Sequence, residues 1–180
     1  MKNYEIRLSG SGGQGLILAG IILARAAVID NLRVTQTQSY GPESRGGSSR
    51  ADVIISDQEI YFPEAQAFNC LLALTQEACD KYLFDLREQG TLIVDTTYVK
   101  NLAMAAEKTY ELPFTEIAIE KLGSAITTNI IALGFMVRLI KVVSEESLAQ
   151  SLRETVKPAF IDLNIKAMNL GFELADNYGK

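Results

Sequence analysis

Histidine is absent from this 180-residue chain, which removes the commonest side chain for proton transfer near neutral pH and the commonest metal ligand. A self-contained mechanism would have to run on Asp, Glu, Lys, Tyr or Cys, and no such constellation is evident. Cysteine is almost as scarce. Cys70 and Cys79 are the only two; they cannot supply the four thiolates of an ordinary iron–sulfur cluster, and their C-x8-C spacing matches no familiar zinc pattern. Cys70 falls in a run that reads as a buried strand and Cys79 in the helix after it, so both read as packed thiols.

Positive charge is short as well. The 17 Lys and Arg set against 22 Asp and Glu leave a net charge of −5. That balance argues against nucleic acid as a main partner, because such binding is dominated by cations neutralising phosphates; an acidic small molecule stays compatible where cations are placed locally. An uninterrupted apolar run of membrane length is also missing. Ile126 to Val143 is the most apolar stretch, but Thr127, Thr128, Asn129, Arg138 and Lys141 interrupt it, whereas a bilayer span needs about 20 mainly apolar residues. A buried or subunit-facing helix, and no membrane, is the expectation. The opening residues lack the basic-then-apolar pattern of a secretory signal, which points to the cytoplasm. With 48% hydrophobic residues and no linker or internal repeat, the chain reads as one domain over residues 1–180.

Extended and helical periodicities alternate along the chain. Tyr4 to Ser9 alternates as a strand, Leu16 to Asp30 is helical, and Arg33 to Gln38 is a β-branched second strand. Arg50 to Ser56 is a third strand, and Asn69 to Thr75 a fourth whose apolar run suits a sheet covered on both faces. Gln76 to Gln89 has helical spacing, Thr91 to Asp95 gives a fifth strand, and Tyr110 to Leu112 adds a short last one. From Phe114 onward the chain is helical: Phe114 to Leu122, Ala125 to Val143, Glu145 to Lys157, and a final helix opened by Pro158 and running to Asn177. This order predicts an α/β fold, a Rossmann-like three-layer open sheet, mostly parallel, with a helical C-terminal region.

Gly10-Ser11-Gly12-Gly13-Gln14-Gly15 lies between the first strand and the first helix. A strand feeding a glycine turn and a helix start aims backbone N–H groups and the positive end of the helix dipole at one point, where an anion can approach closely. The spacing satisfies G-x-G-x-x-G, which alone is a weak signal. Three readings compete. A nicotinamide or flavin dinucleotide site requires an acid about 20 residues on, at the end of the second strand; that strand ends Gln36-Thr37-Gln38, with no acid between Asp30 and Glu43. A structural reading has the glycines serving only strand–helix packing. A third reading is a phosphate cradle for another ligand such as coenzyme A.

A second motif, Ser39 to Arg50, carries Gly41-Pro42 and Arg45-Gly46-Gly47. By composition it is a surface loop, but Arg45 and Arg50 are the only cations between Arg33 and Lys81. They concentrate positive charge at the carboxyl edge of the sheet, where open α/β folds bind ligands. The competing reading is a solvated loop holding a Glu43–Arg45 pair.

Taken together, Gly10 to Gly15, then Tyr40-Gly41-Pro42-Glu43-Ser44-Arg45-Gly46-Gly47, then Arg50-Ala51-Asp52-Val53-Ile54-Ile55-Ser56, resemble the gamma subunit of 2-oxoacid:ferredoxin oxidoreductases over essentially the whole chain. The resemblance implies a subunit that is inactive alone. Its complex would decarboxylate a 2-oxoacid oxidatively, 2-oxoglutarate being preferred, to an acyl-coenzyme A with reduction of ferredoxin. Thiamine diphosphate and iron–sulfur clusters would sit on partner subunits (alpha and beta, and delta where present), with ferredoxin reached through the complex. Coenzyme A is implied as the co-substrate at or near this chain, with Gly10, Gly12, Gly13, Gln14 and Gly15 toward its diphosphate. Arg45 would add charge there or anchor the loop to a neighbour. Asn129, in Thr127-Thr128-Asn129-Ile130-Ile131, matches a later helical motif of the family, with a helix cap or a buried hydrogen bond as its alternative role. Two other identities stay open: the matching subunit of indolepyruvate:ferredoxin oxidoreductase, and a non-catalytic assembly module.

Overall fold

The computed structural model describes residues 3–40, 48–104 and 106–179. Among them six strands, β1 (Tyr4–Ser11), β2 (Arg33–Tyr40), β3 (Ser48–Ser56), β4 (Phe68–Ala73), β5 (Leu86–Asp95) and β6 (Lys108–Leu112), form one sheet in the order β2-β3-β1-β4-β5-β6. The helices are α1 (Leu16–Ile29), α2 (Gln76–Tyr82), α3 (Phe114–Leu122), α4 (Thr128–Ile140), α5 (Glu145–Thr155) and α6 (Ile161–Asn177). Strands β1, β4, β5 and β6 pair in parallel. Strand β3 runs antiparallel to both β1 and β2, so every strand but β3 points the same way. The sheet is therefore mixed by pairing and mostly parallel by strand direction.

Alternation along the strands sorts residues between two cores. Ile6, Leu8, Val53, Ile55, Cys70 and Leu72 pack with α1, α4, α5 and α6 on one face. Leu71, Ala73, Leu92 and Val94 pack with α2 and Val99 on the other. The expected three layers are present, with unequal thickness. Cys70 and Cys79 fall in different cores, both buried and unbonded. Burial pushes the Cys70 thiol up to about 12, and burial with the neighbouring Asp80 charge pushes Cys79 to about 11, so neither is a ready thiolate.

Most strands and helices shift by a few residues from expectation, and three of the changes shape the fold. The helix from Gln76 stops at Tyr82, passes through a 3-10 turn at Leu83–Asp85 and becomes β5 at Leu86. Long-range contacts override the local periodicity: Arg87 donates to the Ala67 carbonyl at 3.1 Å and pairs with Glu5 at 2.7 Å, which holds Leu86 opposite Phe68 in the sheet. Strand β1 continues through Gly10 to Ser11 because β3 pairs with it to that point. Helix α4 ends at Ile140, with Lys141 in the left-handed region at φ 51°. That reversal brings Ser144 to Asp30, whose carboxylate accepts from the Ser144 N–H (2.6 Å), Ser144 Oγ (2.8 Å) and Ser147 Oγ (2.6 Å). The end of α1 is thereby tied to the start of α5.

Helices α4 and α6 cross at two glycines. A Cβ on Gly134 would lie 2.4 Å from the Met168 carbonyl oxygen, and one on Gly171 would lie 2.2 Å from that of Ile131. Backbone-to-backbone approach of this kind fixes where the first turn of α6 lies relative to α4. No helix among the described residues is long and apolar enough to cross a membrane.

Candidate functional site

Parallel β1 delivers the glycine turn to the carboxyl edge of the sheet. Ser11 closes the turn: its N–H donates to Gln14 Oε1 at 2.8 Å, and its carbonyl accepts from the Gln14 N–H at 3.3 Å. Gly10 lies in the strand, and a Cβ there would stand 2.2 Å from Gln14 Oε1. Its role is to let the Gln14 side chain fold back over β1. Gly15 caps α1 with φ 71°, and a Cβ on it would meet Asn129 Nδ2 at 2.5 Å. Gly13, at φ 92°, has nothing within 4 Å of where its Cβ would be, and both Gly12 and Gly13 are exposed. The six-residue motif thus divides: Gly10 and Gly15 accommodate side chains of this protein, while Gly12 and Gly13 face outward.

Asn129 sits 114 residues from Gly15 and reaches it. Its Nδ2 donates to the Gly15 carbonyl at 2.9 Å and its Oδ1 accepts from the Ile130 N–H at 3.0 Å. This buried side chain joins the first turn of α4 to the first turn of α1. Helix α1 has neither a side-chain cap nor an acid in its first turn, so its leading N–H groups remain available to an external acceptor. By contrast, Thr75 caps α2 and Ser144 caps α5.

Gly13 borders two clefts separated by Ile126. The larger, about 570 Å³, runs along the starts of α1, α4 and α6 and includes Gly15, Leu18, Asn129, Lys157 and Phe160. The smaller, about 200 Å³, lies toward Gln14, Tyr98, Thr115 and Thr128. Asp95, the acid at the end of β5, is fully buried. Its carboxylate accepts from Thr115 Oγ1 at 2.5 Å, the Thr115 N–H at 3.2 Å and the Thr97 N–H at 3.0 Å; it fastens α3 to the sheet edge.

The topology bears on the dinucleotide reading. Antiparallel β3 lies between β1 and β2, so the end of β2 is two strand spacings, about 10 Å, from β1. In a dinucleotide site the second strand is adjacent to the first and brings an acid to the ribose. Here both the acid and the adjacency are missing. Of the two loop arginines, Arg45 lies outside the described residues. Arg50 lines a cavity of about 420 Å³ with Arg7, Asp52 and Phe68 and does not border the clefts at Gly13.

Residues 5–174 match the family model for pyruvate ferredoxin/flavodoxin oxidoreductase. The chain belongs to that family. The 2-oxoglutarate synthase subunit KorC of Methanocaldococcus jannaschii is 45% identical over 174 residues, 95% of this chain and 93% of its own. The keto/oxoacid ferredoxin oxidoreductase gamma subunit from Geobacter sulfurreducens superposes with a TM-score of 0.85 at 48% identity, covering 96% of this chain and 98% of that one. The 2-oxoglutarate:ferredoxin oxidoreductase from Magnetococcus marinus, with 2-oxoglutarate, coenzyme A and succinyl-CoA bound, superposes with a TM-score of 0.87 at 23% identity. It covers all of this chain and 32% of that one, a likeness of fold. This protein is thus a subunit of a 2-oxoacid:ferredoxin oxidoreductase, and its relatives are components of multi-subunit complexes.

Two features of this family member were missed from sequence. Arg7 and Asp52 form a buried bidentate pair with both contacts at 2.6 Å, and the Arg7 guanidinium lies between the rings of Phe68 (4.0 Å) and Tyr82 (4.4 Å). An arginine inside the alternating β1 run was the available signal. The Lys157–Phe160 wall of the larger cleft shows in sequence only as the junction of two helices.

Proposed function

We propose that this chain forms the coenzyme A-binding wall of a cytoplasmic 2-oxoglutarate:ferredoxin oxidoreductase. Thiamine diphosphate and the iron–sulfur clusters are held by its alpha and beta partners, and by delta where present, and ferredoxin is the electron acceptor. The observation that carries the reading is the exposed Gly12–Gly13 backbone in front of the uncapped start of α1. That arrangement offers N–H donors and the positive helix end to a diphosphate without steric obstruction. Gly10, Gln14, Gly15 and Asn129 act one step back. Gln14 holds the Ser11 amide, Gly10 and Gly15 make room, and Asn129 fixes the Gly15 carbonyl so that the turn keeps its shape before ligand arrives. Arg45 adds charge to the same edge or anchors its loop to a neighbouring subunit. The 45% identity to a 2-oxoglutarate synthase subunit supports 2-oxoglutarate as the oxoacid.

The test is the complex reconstituted with Gly13→Leu. A Cβ at Gly13 has nothing within 4 Å of it, so the substitution acts through the space in front of the turn and through the local φ of 92°. The expected result is a rise of tenfold or more in the KM for coenzyme A, roughly 1.4 kcal/mol of lost binding, with assembly by size exclusion unchanged. An unchanged KM in a fully assembled complex removes the turn from the site.

A further inference from the structure

The two edges of the sheet are finished differently. At one end β6 is five residues long and carries the exposed charges of Lys108 and Glu111. Its outer side is also covered, since Tyr178, just past α6, accepts from the Glu111 N–H at 3.2 Å. Short length, charge and a covering group are the usual protections of an edge strand. At the other end β2 runs eight residues, pairs with β3 from Arg33 to Tyr40 in one register, and has no proline, glycine or charge after Arg33. Among the described residues no strand lies outside it. Its Gln36 amide reaches the Thr37 carbonyl at 3.4 Å, longer than the usual N–H···O bond and easily displaced. Alternate residues of an antiparallel strand turn N–H and C=O away from their partner, so the outer side of β2 is a template for another strand.

Helix α1 adds a second feature on the same flank. Ile17, Ile21, Ala24 and Val28 fall within about 60° of one another around the helix; three are half-buried and Val28 is 58% exposed. The other sides of α1 are occupied. A Cβ on Gly20 would meet Ala51 of β3 at 2.7 Å and the Gln36 amide of β2 at 3.8 Å. Ser151 of α5 donates to the Ile22 carbonyl at 2.7 Å, and Arg25, the one charged residue of α1, reaches Thr155 at 3.0 Å. Asn129 of α4 holds the inner side at Gly15. The apolar stripe is left on the outer side, above β2.

We infer that this flank binds the same flank of a second copy of the chain, with the two β2 strands antiparallel about a two-fold axis at Thr37. An axis perpendicular to the sheet requires each residue to meet one from the same face. Centred on Thr37, the strand satisfies this with itself: Thr37 meets Thr37, Gln36 meets Gln38 and Thr35 meets Ser39, all uncharged polar pairs. The two Arg33 stand at opposite ends of the ladder, so a chain of net charge −5 opposes no like charges along it. The helices distinguish a second copy from an isolated strand. Neighbouring strands lie about 4.8 Å apart, so α1, seated over β2 and β3, stands about 5–7 Å from the axis. Its counterpart is then about 10–14 Å away, at the reach of two helices about 10–12 Å in diameter with side chains. A lone strand from another protein would leave the stripe uncovered, whereas a second copy covers edge and stripe together. Because the contact is isologous, the assembly stops at two.

The experiment is sedimentation equilibrium of the full chain, paired with oxidative cross-linking. The expected mass is twice the 19.7 kDa of one chain. Ile21→Glu sets two carboxylates beside the axis and is expected to raise the dissociation constant at least about tenfold, with an unchanged circular dichroism spectrum. Thr37→Cys is expected to give a disulfide-linked dimer, both native thiols being buried. A residue on the axis faces its own copy at about 4.5–5.5 Å between Cα atoms, within disulfide range. Thr35→Cys, about 14 Å from its own copy, is expected not to link. A chain that stays monomeric up to about 100 μM overturns the inference, as does a dimer that Ile21→Glu leaves intact or that Thr35→Cys links as readily as Thr37→Cys. If Thr37→Cys links instead to a partner subunit in the reconstituted complex, the edge takes a strand from that subunit and the assignment to a second copy falls.

Discussion

One face of the sheet lies under α1 and the C-terminal helices and buries Ile6, Leu8, Val53 and Ile55 against them. The other lies under α2 along β4 and β5, and opposite β1 and β3 it sets the Arg7–Asp52 pair among Phe68 and Tyr82. The first face draws its stability from area removed from water and from close helix crossing, which is non-directional. The second depends on charge complementarity in a fixed geometry. Arg7 and Asp52 stand directly opposite each other in the β1–β3 register, so a slip of one residue would separate the pair as well as exchange the faces of the strand. The clefts follow the same division. Gly13 and the uncapped helix starts belong to the thick, apolar side, and Arg50 to the polar one.

The comparison breaks most sharply at Arg7. Truncation by Arg7→Ala leaves the buried Asp52 carboxylate with only the 3.9 Å contact of the half-exposed Arg50 and is expected to cost about 3 kcal/mol, whereas Arg7→Leu combined with Asp52→Leu recovers most of it. Equilibrium urea denaturation at pH 7 measures both, and a single-variant loss below about 1 kcal/mol would mean that the pair does not organise this face. Next in size is the apolar side. Gly134→Val drives a side chain into the Met168 backbone and is expected to cost about 2–3 kcal/mol. It should also weaken coenzyme A binding, because the α4–α6 crossing places Phe160 and Asn129 on a common cleft. Loss of stability with coenzyme A affinity retained would separate the crossing from the site.

The smallest effect concerns acid. Burial pushes the Asp30 carboxyl up, but hydrogen bonds from Ser147 and Ser144 outweigh it, leaving the group below its ordinary value of 3.8. Because the folded value lies below the unfolded one, Asp30 contributes stability above about pH 4 that is lost as pH falls through the folded value. Asp30→Asn should therefore flatten the dependence of stability on pH below about 4, read from denaturation midpoints along an acid series. An unaltered acid limb would show that the α1–α5 tie does not titrate.

Strand order is the part of the fold that sequence could not supply. Periodicity marks where β1, β2 and β3 begin to alternate, but nothing local says that β3 folds back between the other two. That hairpin excludes the dinucleotide geometry for which the missing acid after Gln38 was only a hint. The helix expected from Gln76 to Gln89 failed for a related reason. Leu83 and Leu86 satisfy helical spacing, and only the distant contacts of Arg87 with Glu5 and Ala67 reveal a strand. In the site, Gly13 was legible from spacing. The division of labour within the turn was not, since Gly10 answers to Gln14 and Gly15 to Asn129, contacts that need the folded chain.

The sequence by itself determined the class of fold, the family, and the presence of a phosphate-ready turn, because hydrophobic period and glycine placement act over a few residues and are written locally. Tertiary structure decided which glycines face outward and which make room for side chains of the protein, that Asp95 ties α3 to the sheet edge, and which residues complete the cleft. Asn129, Lys157 and Phe160 reach the turn only because the C-terminal helices pack over α1, and Gly134 and Gly171 let α4 and α6 come together there. Such convergence depends on packing across more than 100 residues of chain, which no local pattern encodes.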